Sequence, residues 1–293
     1  REQVEKLPGV KLPDNIMIEA DLKTALTDED VVVMAVPSPV VRTVAKQMSP
    51  FVKDGQIIVN VAKGIEDVTY KTLSDIIEEE IPNAEVCVLS GPSHAEEVGI
   101  GIPTTVVIGA KNKKTAEMLQ DVFMNKVFRV YTSSDIIGIE LGGALKNVIA
   151  LAAGTVDGLG YGDNTKAALM TRGIAELTRL GEAMGGKPET FSGLTGVGDL
   201  IVTCTSVHSR NRKAGYLMGK GMTADEAMKE VKMVVEGVYS AKAALGLAKK
   251  CNVAVPIVEA VNRVLFENAD PKEEVSNLLL RERKQEHTNL EWN

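Results

Sequence analysis

Lys146 is the most unusual charged residue of the chain, because it lies in a long apolar helical pattern without a carboxylate partner. Glycine, isoleucine and alanine occupy the positions three and four residues away, so no acidic side chain on the same helix can pair with it. An ammonium in such surroundings must find a partner elsewhere or lose its proton, which is how a lysine becomes an acid or base near neutral pH. The alternative, equally open from the pattern, is a lysine whose stem lies on apolar surface while its head reaches water.

Two further polar segments could contribute to a site for an anionic ligand. Asp199 ends the glycine-bearing turn Thr195-Gly-Val-Gly-Asp199, where a ligand or another backbone can approach closely. A cap or turn residue is the alternative interpretation of this aspartate. The run Ser209-Arg-Asn-Arg212 stands where a helix should begin, so backbone N–H groups, the helix dipole and guanidinium groups could together bind a phosphate. A solvated basic helix start is the alternative.

The elements that would position these residues follow from hydrophobic patterns. In the first half, short β-branched runs alternate with helical stretches, which is typical of a doubly wound sheet. The predicted strands are residues 16–19, 31–36, 56–61, 85–90, 104–109 and 127–131. Ligands bind at the carboxyl ends of the strands in such sheets. Three loops follow strand ends here: Ala35-Val-Pro-Ser38, Asn60-Val-Ala-Lys-Gly64, which carries Lys63, and Ser90-Gly-Pro-Ser-His94.

After about Ser134 the chain changes character, and long helical patterns rich in alanine, leucine and glycine replace the strands. The predicted helices are residues 135–156, 165–184, 209–218, 223–230, 237–250 and 256–267. We therefore predict an α/β domain over residues 1–134 and an all-α domain over residues 135–293, with Lys146 near the entrance of the second. One formal glycine fingerprint, Gly219-Lys-Gly-Met-Thr-Ala224, follows a helix and is interpreted as a helix-to-helix connection.

Composition excludes several classes of protein. Hydrophobic residues are 44% and charged residues 25% of the 293, values typical of a globular protein rather than a disordered one. The net charge is -7 and both signs are interspersed, so nothing favours nucleic acid. We expect no integral membrane segment and no targeting segment. Three cysteines and three histidines lack metal-ligand spacing, so we expect no metal, and the absence of a C-x-x-C pair fits a reducing cytoplasm.

Six segments carry a resemblance to a known family. They are Asn60-Val-Ala-Lys-Gly-Ile-Glu66, Ser90-Gly-Pro-Ser93, Glu140-Leu-Gly-Gly-Ala-Leu-Lys-Asn147, Leu194-Thr-Gly-Val-Gly-Asp-Leu200, Ser209-Arg-Asn-Arg212 and Val234-Val-Glu-Gly237. In the same order and over nearly the whole chain, they resemble bacterial NAD(P)-dependent glycerol-3-phosphate dehydrogenases. The resemblance implies an oxidoreductase that interconverts sn-glycerol 3-phosphate and dihydroxyacetone phosphate with NAD or NADP and that feeds glycerophospholipid synthesis.

The resemblance also implies roles for individual residues. Lys146 matches the family's catalytic lysine, which accepts a proton from the substrate hydroxyl, or donates one to the ketone, and also contacts substrate. The other matches to substrate-binding positions are Lys63, Gly91, Ser93, Asp199, Ser209, Arg210 and Asn211. The matches to cofactor-binding positions are Lys63, Ala95, Arg210, Val234 and Glu236. The aliphatic helical domain could also supply the surface of a homodimer.

The beginning of the chain departs from the family. The family's Gly-x-Gly-x-x-Gly turn, with the first strand, helix and second strand of its Rossmann-like domain, has no counterpart after Arg1. We therefore expect an N-terminally incomplete dinucleotide-binding domain that is unstable or inactive alone. Two alternatives stay open: an inactive fragment that keeps a phosphate-binding substrate pocket, and a related hydroxyacid dehydrogenase. The cluster at 209–212 disfavours the second, since an unphosphorylated acid needs no such group.

Overall fold

The computed structural model describes residues 7–283 and 285–286, with an α/β part followed by a helical part. The strands are β1 Val31–Met34, β2 Ile57–Asn60, β3 Glu85–Ser90, β4 Thr104–Gly109 and β5 Phe128–Ser133. The helices among them are α1 Leu22–Leu26, α2 Val41–Met48, α3 Leu73–Glu80, α4 Ala95–Val98 and α5 Lys113–Phe123. The helices that follow are α6 Ile136–Gly158, α7 Asp163–Ala183, α8 Pro188–Phe191, α9 Asp199–Thr205, α10 Arg210–Gly219, α11 Ala224–Val231, α12 Glu236–Cys251, α13 Pro256–Phe266 and α14 Pro271–Leu279. The predicted fold class, a Rossmann-like domain followed by a helical one, is confirmed.

The sheet is mixed rather than wholly parallel. Its strand order is β1-β2-β3-β4-β5, with β1, β2 and β3 parallel, and β4 and β5 running the opposite way as a parallel pair. The connection from β3 to β4 contains only the short helix α4, which is too short for the crossover that two parallel strands require. The carboxyl ends of β1, β2 and β3 therefore share one edge with the loop that leads into β4.

One predicted strand is wrong. Residues 16–19 form no strand, and the side chain of Met17 is 91% exposed. Within residues 7–283 this segment has no ladder partner, and an isolated extended segment leaves its backbone N–H and C=O groups to water. A hydrophobic, β-branched pattern is therefore insufficient here, because strand formation depends on a neighbour.

Helices cover both faces of the sheet. Helices α1, α2 and α3 pack on one face over Met34, Ile58 and Val86, whereas α5 packs on the other face over Val59 and Cys87. Both clusters are built from aliphatic side chains, as the low aromatic content of 4% predicts. The sheet is therefore covered on both faces and carries the loops that follow the carboxyl ends of β1, β2 and β3.

Helix α6 is the central helix of the second part. It is long and apolar enough to cross a membrane, but 89% of its most apolar window is buried inside the protein, so it is a core helix. Helices α7, α9, α10 and α12 surround it. The connection from Gly219 to Ala224 joins α10 to α11 as predicted, and Thr223 and Glu226 form a reciprocal capping box at the start of α11.

Glycines let the backbones of α6 and α10 pack at close range, which leads to a stability prediction. A Cβ at Gly154 would lie 2.0 Å from the carbonyl oxygen of Arg212. Gly154→Ala is therefore expected to destabilise the protein by about 2–3 kcal/mol through overpacking, although alanine normally favours a helix. Thermal unfolding followed by circular dichroism should show a Tm lower by about 5–10 °C.

Gly162→Ala is the matched control for this prediction. No heavy atom lies within 4 Å of the position that its Cβ would take, and the Gly162 backbone is compatible with alanine. We expect its Tm to stay within about 2 °C of the wild type. A Gly154→Ala variant as stable as this control would contradict the close packing of α6 on α10.

Candidate active site

A buried carboxylate joins two lysines at the junction of the two parts. Asp199 is 1% exposed, and its two carboxylate oxygens accept hydrogen bonds from different ammonium groups. Lys63 Nζ donates to Oδ2 at 2.7 Å, and Lys146 Nζ donates to Oδ1. Lys146 is 5% exposed, so the interpretation of a lysine head reaching water is wrong. The isolated ammonium of α6 has found its partner 53 residues further along the chain.

Three separate elements position this triad. Lys146 projects from α6, Lys63 lies in the loop after β2, and Asp199 is the first residue of α9. A π-helical turn, Leu194–Gly198, precedes α9 and packs directly on α6. A Cβ at Gly142 would lie 2.5 Å from the carbonyl oxygen of Thr195, so this glycine is needed for the close approach. The glycine turn predicted around Asp199 thus brings the carboxylate to Lys146.

Burial, together with the charges of Asp199 and Lys63, brings the pKa of Lys146 close to neutral pH. Burial lowers the pKa of Lys146 most, the Asp199 carboxylate opposes it, and the Lys63 ammonium adds to the lowering, so that the pKa lies at about 8. Burial alone would raise the pKa of Asp199, but the ammonium groups of Lys146 and Lys63 together bring that pKa below its usual value. The carboxylate is therefore ionised, and Lys146 can exchange its proton in the physiological range.

Thr203 completes the surroundings of Lys146. Its hydroxyl oxygen accepts a hydrogen bond from Lys146 Nζ at 2.7 Å and donates to the carbonyl oxygen of Asp199 at 2.6 Å. The sequence does not predict Thr203 as a site residue. Its position four residues after Asp199, on the same face of α9, is the signal that could have identified it.

Glu140 links α6 to α3 and to the end of β2, just before the loop that carries Lys63. Its carboxylate accepts hydrogen bonds from the backbone N–H and the hydroxyl of Ser74 and from Asn60 Nδ2. Asn60 also bonds to the backbone of Ala62, at the start of the loop that carries Lys63. Burial raises the pKa of Glu140 to about 7. One side chain of α6 therefore positions the loop of Lys63, a role that sequence reasoning missed.

The loop after β3 lies beside Lys63. The carbonyl oxygen of Gly91 accepts hydrogen bonds from Lys63 Nζ at 2.8 Å and from the Ser93 hydroxyl at 3.0 Å. Gly91 has φ +145, and a Cβ there would lie 3.0 Å from the Cα of Val106, so only glycine fits. The structure thus brings the predicted residues Gly91 and Ser93 together with the triad.

Three side chains of the run Ser209–Arg212 at the start of α10 form hydrogen bonds or ion pairs within the protein. Ser209 caps the helix, since its hydroxyl accepts from the backbone N–H of Arg212. The Arg212 guanidinium pairs with Asp157 at 2.7 Å. Asn211 donates to Asn147 at 2.9 Å and accepts from the backbone N–H of Gly237.

Arg210 is left as the guanidinium available to a ligand. It is exposed and forms no ion pair within the part of the chain that the structure describes. Burial raises the pKa of Glu236, and the hydrogen bonds from Ser38 and the charge of Arg210 oppose this only in part. A helix N-terminus with one unpaired guanidinium is suited to an anion.

Two of the predicted cofactor-binding residues, Lys63 and Glu236, lie by the turn after β1 and the loop after β2. Ser38, in the turn after β1, donates its hydroxyl hydrogen bond to Glu236 of α12. The loop of Lys63 packs so closely on this turn that a Cβ at Gly64 would lie 2.4 Å from the Cβ of Ser38. Ala95 and Val234 are exposed. This surface of small and polar groups at the carboxyl ends of parallel strands fits a nucleotide cofactor.

Comparison with known families and proteins gives a consistent assignment. Residues 1–116 match the family described as the NAD-dependent glycerol-3-phosphate dehydrogenase N-terminus, and residues 135–276 match the corresponding C-terminus. Glycerol-3-phosphate dehydrogenase (NAD(P)+) of Agathobacter rectalis is 66% identical over 291 residues, which are 99% of this chain and 87% of that protein. The enzyme of the same name from Fusobacterium nucleatum is 62% identical, over 98% of this chain and 86% of that protein.

Solved structures agree with these relatives. The crystal structure of glycerol-3-phosphate dehydrogenase from Coxiella burnetii has a TM-score of 0.91 and 36% identity, covering 94% of this chain and 84% of that one. The structure of the yeast glycerol-3-phosphate dehydrogenase has a TM-score of 0.83 and 29% identity, covering 94% of this chain and 82% of that one.

Proposed function

The chain belongs to the NAD-dependent glycerol-3-phosphate dehydrogenase family, and on that premise we propose that Lys146 is the general acid and base of its reaction. The enzyme interconverts glycerol 3-phosphate and dihydroxyacetone phosphate with NAD or NADP. The observation that supports a role for Lys146 is its buried ammonium, held between Asp199 and Thr203 with a pKa lowered to about 8.

The proposed chemistry needs one group that can both stabilise charge and move a proton. When bound, the nicotinamide cofactor supplies the hydride to the carbonyl carbon in one direction and accepts it in the other. Reduction builds negative charge on the carbonyl oxygen, which the Lys146 ammonium stabilises and then protonates. In oxidation, the neutral amine of Lys146 accepts the proton of the substrate hydroxyl. Asp199 orients Lys146 throughout and keeps the neighbouring Lys63 in place.

The remaining predicted residues would bind substrate and cofactor. We assign the substrate to Lys63, Gly91, Ser93, Lys146, Asp199, Ser209, Arg210 and Asn211, and the cofactor to Lys63, Ala95, Arg210, Val234 and Glu236. Since Asn211 already uses its amide for Asn147 and Gly237, its contact with substrate would rely on the second amide hydrogen. The exposed Arg210 would carry the main charge interaction with the phosphate.

Arg210 gives a prediction that separates phosphate binding from catalysis. Arg210→Gln is expected to raise the KM for dihydroxyacetone phosphate about 10- to 100-fold, because a charged hydrogen bond to the phosphate is lost. At saturating NADH or NADPH, where a weakened cofactor contact has no effect on the rate, the rate with unphosphorylated dihydroxyacetone should hardly change. Lys213→Gln removes an exposed cation from the same helix and should leave both substrates unaffected. Equal losses on the two substrates in Arg210→Gln would contradict the assignment.

The proposal extends to the cellular role of the reaction. We propose that the enzyme works in the cytoplasm and supplies glycerol 3-phosphate to glycerophospholipid synthesis, with the helical part forming a homodimer surface. The decisive assay follows oxidation of NADH or NADPH with dihydroxyacetone phosphate as acceptor, beside an unphosphorylated ketoacid. Reduction of the phosphorylated ketone alone supports the proposal, whereas a preference for the ketoacid contradicts it.

A further inference from the structure

His94 has a buried nitrogen without a partner at the edge of the proposed substrate site. Its Nε2 is shielded from solvent and forms no hydrogen bond with any described residue. Leaving a buried polar atom unpaired costs free energy, so such atoms in a native protein normally have a partner when the protein works. In a ligand-binding site, the bound ligand can supply the missing hydrogen-bond partner.

The surroundings of His94 place it on the cleft. It follows Ser93 directly, and its loop is held to Lys63 through the carbonyl oxygen of Gly91. Its ring packs against that of His208, with 6.0 Å between the centroids, and His208 directly precedes Ser209. The ring therefore bridges the loop after β3 and the start of α10, the two segments that bracket the triad.

The chemistry of the ring favours a neutral partner over the phosphate. Burial lowers the pKa of His94, the ammonium groups of Lys146 and Lys63 lower it further, and the carboxylates of Glu96 and Asp199 oppose this only in part. A neutral imidazole attracts a dianion less than Lys63 or Arg210 does. It pairs well with a hydroxyl, which can donate or accept. Dihydroxyacetone phosphate and glycerol 3-phosphate each carry a terminal hydroxymethyl group at the end opposite the phosphate.

We propose that His94 is a specificity-determining residue whose Nε2 forms a hydrogen bond with the terminal hydroxyl group of the substrate. The assignment rests on the proposed substrate site around Lys146 and adds the group that recognises the unphosphorylated end. A site that hydrogen-bonds a substrate hydroxyl discriminates against an analogue that lacks it, because the buried nitrogen is then left unpaired. His94 thus selects a substrate that ends in a hydroxymethyl group over one that ends in a methyl group.

The test compares two substrates that differ only in that hydroxyl. Dihydroxyacetone phosphate and hydroxyacetone phosphate, in which a methyl group replaces the hydroxymethyl group, are assayed with wild type, His94→Leu and His94→Gln. We expect His94→Leu to lower kcat/KM for dihydroxyacetone phosphate about 5- to 30-fold and to leave hydroxyacetone phosphate nearly unchanged. His94→Gln keeps a hydrogen-bonding group and should restore part of the preference. Calorimetric Kd values for the two compounds should shift in the same way.

His208→Leu is the matched control, because it changes the exposed ring that packs on His94 without removing the unpaired nitrogen. It should leave the ratio of the two kcat/KM values as in wild type. A loss of the same size on both substrates in His94→Leu would overturn the assignment while leaving the proposed function intact. A wild-type protein that neither binds nor reduces dihydroxyacetone phosphate would overturn both.

Discussion

Replacing Lys146 with methionine is expected to lower kcat for dihydroxyacetone phosphate reduction about 10³-fold while the protein stays folded. Methionine fills most of the volume of the lysine stem but can neither stabilise the developing oxyanion nor transfer a proton. Asp199 keeps one of its two cationic partners, Lys63, so its carboxylate is still paired. The rate is measured from NADH or NADPH oxidation, and folding from circular dichroism and Tm.

Lys113→Met is the control for this loss of an ammonium. Lys113 lies on α5, its side chain is 87% exposed, and its ion pair with Glu117 spans 3.5 Å at the surface. Such pairs contribute little, so its rate and stability should match the wild type. A Lys146→Met variant that keeps more than a tenth of the wild-type kcat would contradict a proton-transfer role for this lysine.

Asp199→Asn is expected to have the second largest effect, on both stability and pH dependence. The change leaves Lys146 and Lys63 close together without their shared carboxylate, and breaking a buried ion pair costs about 3–5 kcal/mol. Because Asp199 raises the pKa of Lys146 against burial, its loss should lower that pKa further. Reduction needs the ammonium form, so the pH at which the reduction rate falls should move to lower pH.

Asp157→Asn separates a general loss of ion pairing from this specific effect. Asp157 also holds two cations in the helical part, Lys166 at 2.6 Å and Arg212 at 2.7 Å, and its side chain is 12% exposed. We expect this variant to be destabilised, but the pH at which its reduction rate falls should be the same as in the wild type. If Asp199→Asn also left that limb in place, Asp199 would not set the titration of Lys146.

The sequence predicts which residues the structure brings together around Lys146 better than it predicts the contacts that hold them. The isolation of Lys146 in an apolar helix pattern leaves a buried ammonium and a lysine head that reaches water equally open, and the structure decides for the buried ammonium. Asp199 is identified only as a carboxylate in a glycine turn. Its pairing with both lysines depends on the packing of three elements distant in the chain. Likewise, the roles of Glu140 and Thr203 become visible only when α6, the β2 loop and α9 are brought together.

For the fold, too, the sequence predicts single helices and strands better than it predicts the contacts between them. Long periodic patterns predict five of the strands and six of the nine helices that the structure describes in the second part, because apolar spacing along one element reflects the face that it buries. The helices α8, α9 and α14 are not predicted. The reversed direction of β4 depends on the short connection after Gly91, and the absence of a strand at 16–19 depends on the lack of a neighbour. Both are properties of contacts between elements, which periodicity does not encode.

The most direct measurement of the role of Lys146 is the pair of pH–rate profiles for the two directions of the wild-type reaction. If one lysine with a pKa of about 8 donates the proton in reduction and accepts it in oxidation, the reduction rate should fall and the oxidation rate should rise around that same pH. Both limbs should vanish from the residual activity of Lys146→Met. Profiles in which the limbs occur at unrelated pH values, or persist unchanged in Lys146→Met, would contradict Lys146 as the general acid and base.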